Sequence, residues 1–197
     1  MRKGEVTRER ILEGAMALAS RIGFESLSIG VLASELGLSK SGLFAHFGSK
    51  EELQLRTLEA AVARFEVEVF HPAITRPRGE PRLRAIFENW LTWDGHNAWP
   101  GGCLITAASV EYDDRPGPVR DLTVEAQTRL LEGVARAVRI AIEVGHFREN
   151  VDPEQVAYEI YGIVLAHQFI QRLRRDPKAD DRARAAFEHL LDQSQRH

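Results

Sequence analysis

Residues Ser28–Lys50 read SIGVLASELGLSKSGLFAHFGSK and decide the fold of this chain. Ser28 and Ser39 each precede a short apolar stretch, and a serine oxygen in that position accepts a hydrogen bond from the first turn of a helix. Gly37 lies between the two stretches and predicts a tight turn. This spacing is typical of a helix-turn-helix, in which the second helix enters the major groove of DNA.

The two predicted helices need a small core that sets their crossing angle. We expect the small residues Ala33 and Gly37 to let the helices approach each other. The apolar residues that form this core are Leu32, Leu36, Leu43 and Phe47. The side chains expected to project outward from the second helix are those of Lys40, Ser41, Phe44 and His46.

Helical periodicity continues on both sides of this motif. A first helix carries apolar residues from Ile11 to Ile22 and ends at Gly23, and Ser49 with Glu52 forms a capping box that opens a long helix. A loop is predicted where proline and glycine cluster, at Pro72, Pro77, Gly79 and Pro81. We therefore predict a DNA-binding domain at 1–50, a connector helix at 51–71 and a regulatory and dimerisation domain at 72–197.

No alternating pattern of strands is present, so the predicted fold is all-α, a three-helix unit followed by a helical bundle, with about nine helices in total. Asp152-Pro153-Glu154-Gln155 opens one late helix, and a last helix is expected after Asp180-Asp181. Both late helices are rich in apolar residues, and together they predict a surface for self-association. Its residues are Val156, Ile160, Ile163, Phe169, Phe187, Leu190 and Leu191.

Composition narrows the class of protein. The 197 residues carry a net charge of −3 and one cysteine, which favours a reducing compartment, and we expect the cytoplasm. The apolar stretch Ile160–Ala166 is too short to cross a bilayer, so no membrane partner is expected. No nucleophile elbow, phosphate loop or zinc-binding histidine pair is present. We therefore expect no enzyme activity, no cofactor and no metal.

The stretch Ser28–Lys50, which ends Gly-Leu-Phe-Ala-His-Phe-Gly-Ser-Lys, resembles the DNA-binding signature of the tetracycline-repressor family, and the resemblance covers residues 6 to about 66. It implies an all-α homodimer that binds double-stranded operator DNA and a small-molecule effector. It also implies base contacts by Lys40 and Ser41 and phosphate contacts by Phe44, His46 and Lys50. The complete set of predicted DNA-binding residues is Ser28, Ser39, Lys40, Ser41, Gly42, Phe44, His46 and Lys50.

Three positions depart from the family pattern. Phe44 replaces the commoner tyrosine and lacks its hydroxyl, and Gly42 replaces a frequent threonine. Gly30 offers no side chain where relatives often have a polar or basic one. Base recognition is therefore expected to depend on few contacts, with phosphate contacts and DNA shape contributing more.

Aromatic residues concentrate after the connector, and helical bundles build ligand cavities between such surfaces. The candidate effector-binding residues are Phe87, Trp90, Trp93, Trp99, Cys103, Tyr158, Tyr161 and His167. An ordinary packed core is the alternative for each of them. Cys103 is either a structural cysteine or a thiol activated by a helix N-terminus. The segments Gly101–Leu104 and Glu111–Gly117 resemble a pattern in one subgroup of these regulators, and the pattern identifies no ligand.

The predicted function is a ligand-responsive transcriptional regulator, a repressor that binds a palindromic operator as a dimer and is released by an apolar or aromatic effector. One alternative is a DNA-binding regulator that answers to oxidation or to a protein partner. The other is an all-α ligand-binding protein or enzyme with a vestigial helix-turn-helix.

Overall fold

A computed structural model describes residues 3–95 and 99–195 of the chain, and nine helices lie within these residues. The first helices are α1 (Lys3–Ile22), α2 (Ile29–Leu36), α3 (Lys40–Phe47) and α4, which begins with Lys50–Phe65 and continues through a π-helical turn, Glu66–Phe70, into His71–Ile74. They are followed by α5 (Glu80–Gly95), α6 (Leu104–Glu111), α7 (Pro118–Glu143), α8 (Pro153–Arg172) and α9 (Ala179–Ser194). The predicted all-α fold is confirmed.

Side-chain caps begin several of these helices as predicted. Ser28 accepts a hydrogen bond from the Val31 N–H at 3.3 Å, and Asp152 accepts from two backbone N–H groups of α8. The capping box at α4 is formed in one direction: Ser49 Oγ accepts from Glu52 N–H at 3.0 Å. The Ser49 N–H donates to the Phe47 carbonyl instead of to Glu52, because the turn before α4 already supplies that acceptor.

Two predicted boundaries are wrong. Pro72 does not interrupt the helical pattern but lies inside the last helical segment of α4, just after the π-helical turn. Proline at the start of a helical segment loses little hydrogen bonding, because it lacks only an N–H that would have no partner there. The last helix begins at Ala179, before Asp180-Asp181, and these two carboxylates lie in its first turn. Negative charge is favourable there because of the helix dipole.

Gly37, between α2 and α3, forms the predicted turn but does not have the predicted role in close packing. A Cβ on Gly37 would meet no atom within 4 Å, so Gly37 is not needed for close packing. Its φ of 64° is left-handed, and it ends α2 as a C-terminal glycine. Close approach occurs instead at Gly14 of α1, where a Cβ would lie 2.6 Å from Leu36 Cδ2.

The chain forms two compact units. The first lies within Met1–Arg64 and Asn97–Ala126, and the second lies within Phe65–His96 and Gln127–His197. Residues 99–126, which we expected in the regulatory domain, thus belong with the helix-turn-helix. The core of the second unit contains Phe87 stacked on Phe187, with ring centroids 3.8 Å apart. None of the helices in the described ranges has the length and apolar character needed to cross a membrane.

Candidate nucleic-acid interface

Helix α3 has one buried face and one face that is open to solvent. Leu43 and Phe47 are 1% and 3% exposed, because they pack on the motif's core with Leu32 and Ala33. Lys40, Ser41, Gly42 and His46 are exposed, and Phe44 keeps 59% of its surface in solvent. An exposed phenylalanine beside a lysine and a histidine is available to pack on a DNA backbone.

The serine cap of α3 explains the glycine that follows it. Ser39 Oγ accepts a hydrogen bond from the Gly42 N–H at 3.1 Å, and the Ser41 hydroxyl lies 3.4 Å from the same oxygen. A Cβ on Gly42 would lie 2.9 Å from that oxygen, closer than ordinary contact. Gly42 therefore gives the cap its room, and Ser39 holds the first turn of α3.

A second departure, Gly30 in α2, lies beneath Lys40. A Cβ at Gly30 would lie 3.5 Å from Lys40 Cε and 3.7 Å from its Nζ. The lysine side chain thus rests over the backbone of α2. A long side chain at position 30 would compete for this space, so Gly30 permits this conformation of Lys40.

Lys50 begins α4 and already has a partner in the free protein. Its Nζ lies 2.8 Å from Glu25 Oε1, and Arg115 lies 3.1 Å from the other oxygen of the same carboxylate. The hydrogen bond from Lys50 and its charge lower the pKa of Glu25. All three side chains are about half exposed, so solvent screens both ion pairs and neither contributes much to stability.

Sequence reasoning missed Glu25 and Arg115, because ion pairs between positions 25 and 115 leave no local pattern. It noted Glu111 as part of a subgroup pattern but did not predict its role, which is to accept hydrogen bonds from the backbone N–H groups of Phe24 and Glu25.

The candidate effector residues do not form one group. Trp90 and Tyr161 lie together in the second unit, with ring centroids 6.0 Å apart, and Trp90 and Trp93 both contact Phe65 edge to face. With Phe70, which also contacts Phe65, these side chains form what we call the aromatic cluster: Phe65, Phe70, Trp90, Trp93 and Tyr161.

The remaining candidates lie elsewhere. Phe87 is fully buried against Phe187. Trp99 and Cys103 belong to the first unit, where Cys103 is partly exposed at the start of α6. Tyr158 is 69% exposed, so the prediction that it lines a cavity is wrong. The last candidate, His167, is buried, and its Nε2 lies 2.8 Å from Asp180 Oδ1, a contact that joins α8 to α9.

The predicted self-association surface is wrong for five of its seven residues. Their side chains are at most 6% exposed within one chain, because α8 and α9 bury them in the core of the second unit. These residues are Val156, Ile160, Phe187, Leu190 and Leu191. Ile163 is partly exposed, and Phe169 is 54% exposed.

The fold and the open face of α3 define a helix-turn-helix protein in which every other secondary-structure element of the described residues is a helix, apart from an isolated bridge between Phe147 and Gln195. Two family models match it: "Bacterial regulatory proteins, tetR family" over residues 11–57 and "Tetracyclin repressor-like, C-terminal domain" over residues 79–187. The chain belongs to the tetR family of bacterial regulatory proteins, which confirms the resemblance seen in Ser28–Lys50 and makes the chain a transcriptional regulator.

Individual relatives agree with this assignment. The HTH-type transcriptional repressor AcnR of Corynebacterium diphtheriae is 26% identical over 94% of this chain and 87% of its own length. An uncharacterized HTH-type regulator of Mycobacterium tuberculosis, Rv0681, is 40% identical over 53 residues, which are only 24% of that relative's length.

Solved structures are similar over nearly the whole chain. A TetR transcriptional regulator from Chloroflexus aurantiacus has 26% identity and a TM-score of 0.83, covering 98% of this chain and 96% of its own. A putative transcriptional regulator from Saccharomonospora viridis, solved in complex with choline, has 26% identity and a TM-score of 0.75, with 95% of both chains covered.

Proposed function

We propose that this protein is a cytoplasmic homodimeric repressor that binds a palindromic operator through α3 and is released by a small molecule. The observation that carries the proposal is the open face of α3, where Lys40, Phe44 and His46 project from a helix whose other face is buried. Two such helices in a two-fold dimer reach successive major grooves when they are about 34 to 36 Å apart.

The test begins with a duplex that the protein itself selects from a random-sequence pool. We expect a palindromic sequence, and we expect Lys40→Ala to weaken binding to it. The matched control is Arg78→Ala, which removes one positive charge from an exposed ion pair with Glu143 in the second unit. The proposal would be contradicted if the protein enriched no sequence, or if Lys40→Ala and Arg78→Ala lost affinity for the duplex equally.

The dimer surface that we propose is the outward stripe of α8. Tyr158 and Phe169 of α8 are 69% and 54% exposed, and Leu173, which directly follows α8, is 82% exposed; the spacing of the three places them along one side. Gly162 lies on the same side, and a Cβ on it would meet nothing within 4 Å, so another helix could approach closely there. A contiguous apolar stripe of this kind marks an association surface.

A groove beside this stripe also fits a second copy of this chain. It has a volume of about 140 Å³, lies between α8 and α9, and is lined mainly by apolar side chains, including Ile163, Ala166 and Ile170 from α8. Ala183 and Ala186 line the opposite wall. Small residues on α9 leave space for side chains of a second copy, and in a two-fold dimer the same groove occurs twice.

The assay for this surface is the molar mass in solution, measured by light scattering after size exclusion. We expect the double variant Phe169→Glu with Leu173→Glu to have the mass of one chain and the unchanged protein to have that of two. The control is Ile74→Glu, at a residue 60% exposed at the end of α4. A dimeric double variant would show that the stripe is not the interface.

We propose that the effector binds at the aromatic cluster. Trp90 and Trp93 extend from α5 toward Phe65, and a π-helical turn, Glu66–Phe70, immediately follows Phe65 in the chain. π-Helical turns inside α-helices are frequent at functional sites. A ligand that inserts among these rings would interact with aromatic faces, which favours an apolar or aromatic molecule.

Tryptophan fluorescence tests this assignment with 1-anilinonaphthalene-8-sulfonate as a flat aromatic probe. We expect the probe to receive energy from Trp90 and Trp93, so the double variant Trp90→Phe with Trp93→Phe should lose most of the transfer. Trp99→Phe, which changes the tryptophan of the first unit, is the control. Transfer that depends on Trp99 alone would contradict the assignment.

A further inference from the structure

Helix α6 ends in a carboxylate that bonds to the backbone just after α1. Glu111 Oε1 accepts from the Phe24 N–H at 3.1 Å, and Oε2 accepts from the Glu25 N–H at 2.8 Å. These two amides belong to the turn that leads from α1 to Ser28, the cap of α2. One side chain thus satisfies two consecutive backbone donors of the helix-turn-helix unit.

The backbone of this turn is shaped to receive the carboxylate. Gly23 has a φ of +81°, a left-handed conformation that favours glycine. A Cβ on Gly23 would also lie 2.8 Å from Glu111 Oε1. Glycine at position 23 is therefore required both by the turn and by the approach of Glu111.

A second contact joins the chain before α6 to the last turns of α1. The Gly101 N–H donates to Ser20 Oγ at 3.1 Å. A Cβ on Gly101 would fall on the backbone carbonyl of Ser20, so only glycine fits there. Gly101, just before α6, therefore contacts α1, and Glu111, the last residue of α6, contacts the turn that follows α1; all these residues belong to the first compact unit.

Local energetics do not explain a glutamate at this position. Glu111 is the last residue of α6, where the helix dipole disfavours a negative charge. Hydrogen bonds from two amides offset this cost, because a carboxylate is a stronger acceptor than a neutral group. The residue type therefore serves the contact with the turn rather than its own helix.

We propose that Glu111 is a positioning residue for DNA binding: its carboxylate fixes the turn between α1 and α2, and with it the placement of α2 and α3, against α6. The role rests on the DNA-binding function proposed above. It gives a purpose to Gly101 and Glu111, which the sequence pattern singled out without assigning a ligand.

The experiment compares Glu111→Ala and Glu111→Gln with Glu143→Gln, a matched control in which the last residue of another helix, α7, loses its charge. Each full-length variant is tested for hydrogen exchange of the amides of Phe24 and Glu25, for affinity to the duplex selected by the unchanged protein, and for thermal unfolding. Affinity is measured at a temperature at which circular dichroism shows every variant to be folded.

We expect Glu111→Ala to speed exchange of both amides and to weaken DNA binding about tenfold or more. Glu111→Gln should have an exchange rate and a DNA affinity between those of Glu111→Ala and the unchanged protein, because its amide oxygen replaces only one of the two acceptors. Glu143→Gln should match the unchanged protein in both measurements.

A lower unfolding temperature with unchanged DNA affinity in the folded state would reduce Glu111 to a structural role and overturn the proposal. So would unchanged exchange of the two amides. Failure of the unchanged protein to select any duplex would instead refute the DNA-binding function, and the positioning role with it. The exchange measurement distinguishes these cases, because it needs no DNA.

Discussion

Lys50→Met should reduce the salt dependence of operator binding. Lys50 is the first residue of α4, three positions after the end of α3, and we propose that its ammonium contacts a DNA phosphate. Each phosphate contact contributes about 0.9 to the slope of log K against log salt. A dimer contains two copies, so the variant's slope should be shallower by about 1.8, which is roughly a 3.5-fold difference for each doubling of salt.

The structure predicts that this change leaves the fold intact. Lys50 and its partner Glu25 are 43% and 54% exposed, so their ion pair is screened and contributes little to stability. Glu25 also keeps Arg115, 3.1 Å away, when Lys50 is removed. The free energy of unfolding should therefore change much less than the affinity for DNA.

The assay is fluorescence anisotropy of a labelled operator duplex at salt concentrations from about 50 to 200 mM, a range over which phosphate contacts dominate the slope. Arg78→Met is the control, because it removes an equally charged and exposed side chain that pairs with Glu143 at 3.4 Å. An unchanged slope in Lys50→Met, or an equal change in Arg78→Met, would refute the assigned phosphate contact.

Three further predictions concern stability. Ser39→Ala removes the cap of α3 and should lower the free energy of unfolding, measured in urea, by about 1 kcal/mol. Ser39→Thr keeps a hydroxyl at the cap and should therefore retain most of that stability. Phe187→Ala deletes a ring that is 2% exposed and stacked on Phe87, and the cavity should cost about 3 to 5 kcal/mol in the same assay. Burial raises the pKa of Tyr112 to about 12, and its hydroxyl has no hydrogen-bond partner among the residues that the structure describes. Between pH values of about 10 and 12 the unfolded state loses this proton first, so stability should fall as pH rises, and Tyr112→Phe should remove that fall. The same variant should be neutral or stabilising near pH 7, since it deletes an unsatisfied buried group; a clear loss of stability there would show that the hydroxyl is bonded.

Local chemistry made much of the fold predictable. The caps at Ser28, Ser39 and Asp152 depend on residues two or three positions apart, and each is present in the structure. The buried positions Leu43 and Phe47 follow from helical periodicity within one short helix. These features need only the geometry of a single turn, which the sequence encodes directly.

Tertiary structure decided which of two apolar faces is covered. Ile160 and Phe169 lie on the same apolar helix, yet the first is buried in its own chain and the second is 54% exposed. Periodicity identifies apolar residues but not the neighbour that covers them. Most of the residues predicted for self-association therefore lie in the core of their own chain.

The sequence by itself determined the helices, their caps and the helix-turn-helix signature, because these depend on interactions within a few residues. Only the folded chain showed that Glu111 bonds to the turn after α1, that Arg115 and Lys50 share Glu25, and that residues 99–126 belong with the DNA-binding unit. The physical reason is separation along the chain: a hydrogen bond between positions 24 and 111 forms only when packing brings the two together, and no local pattern records that packing.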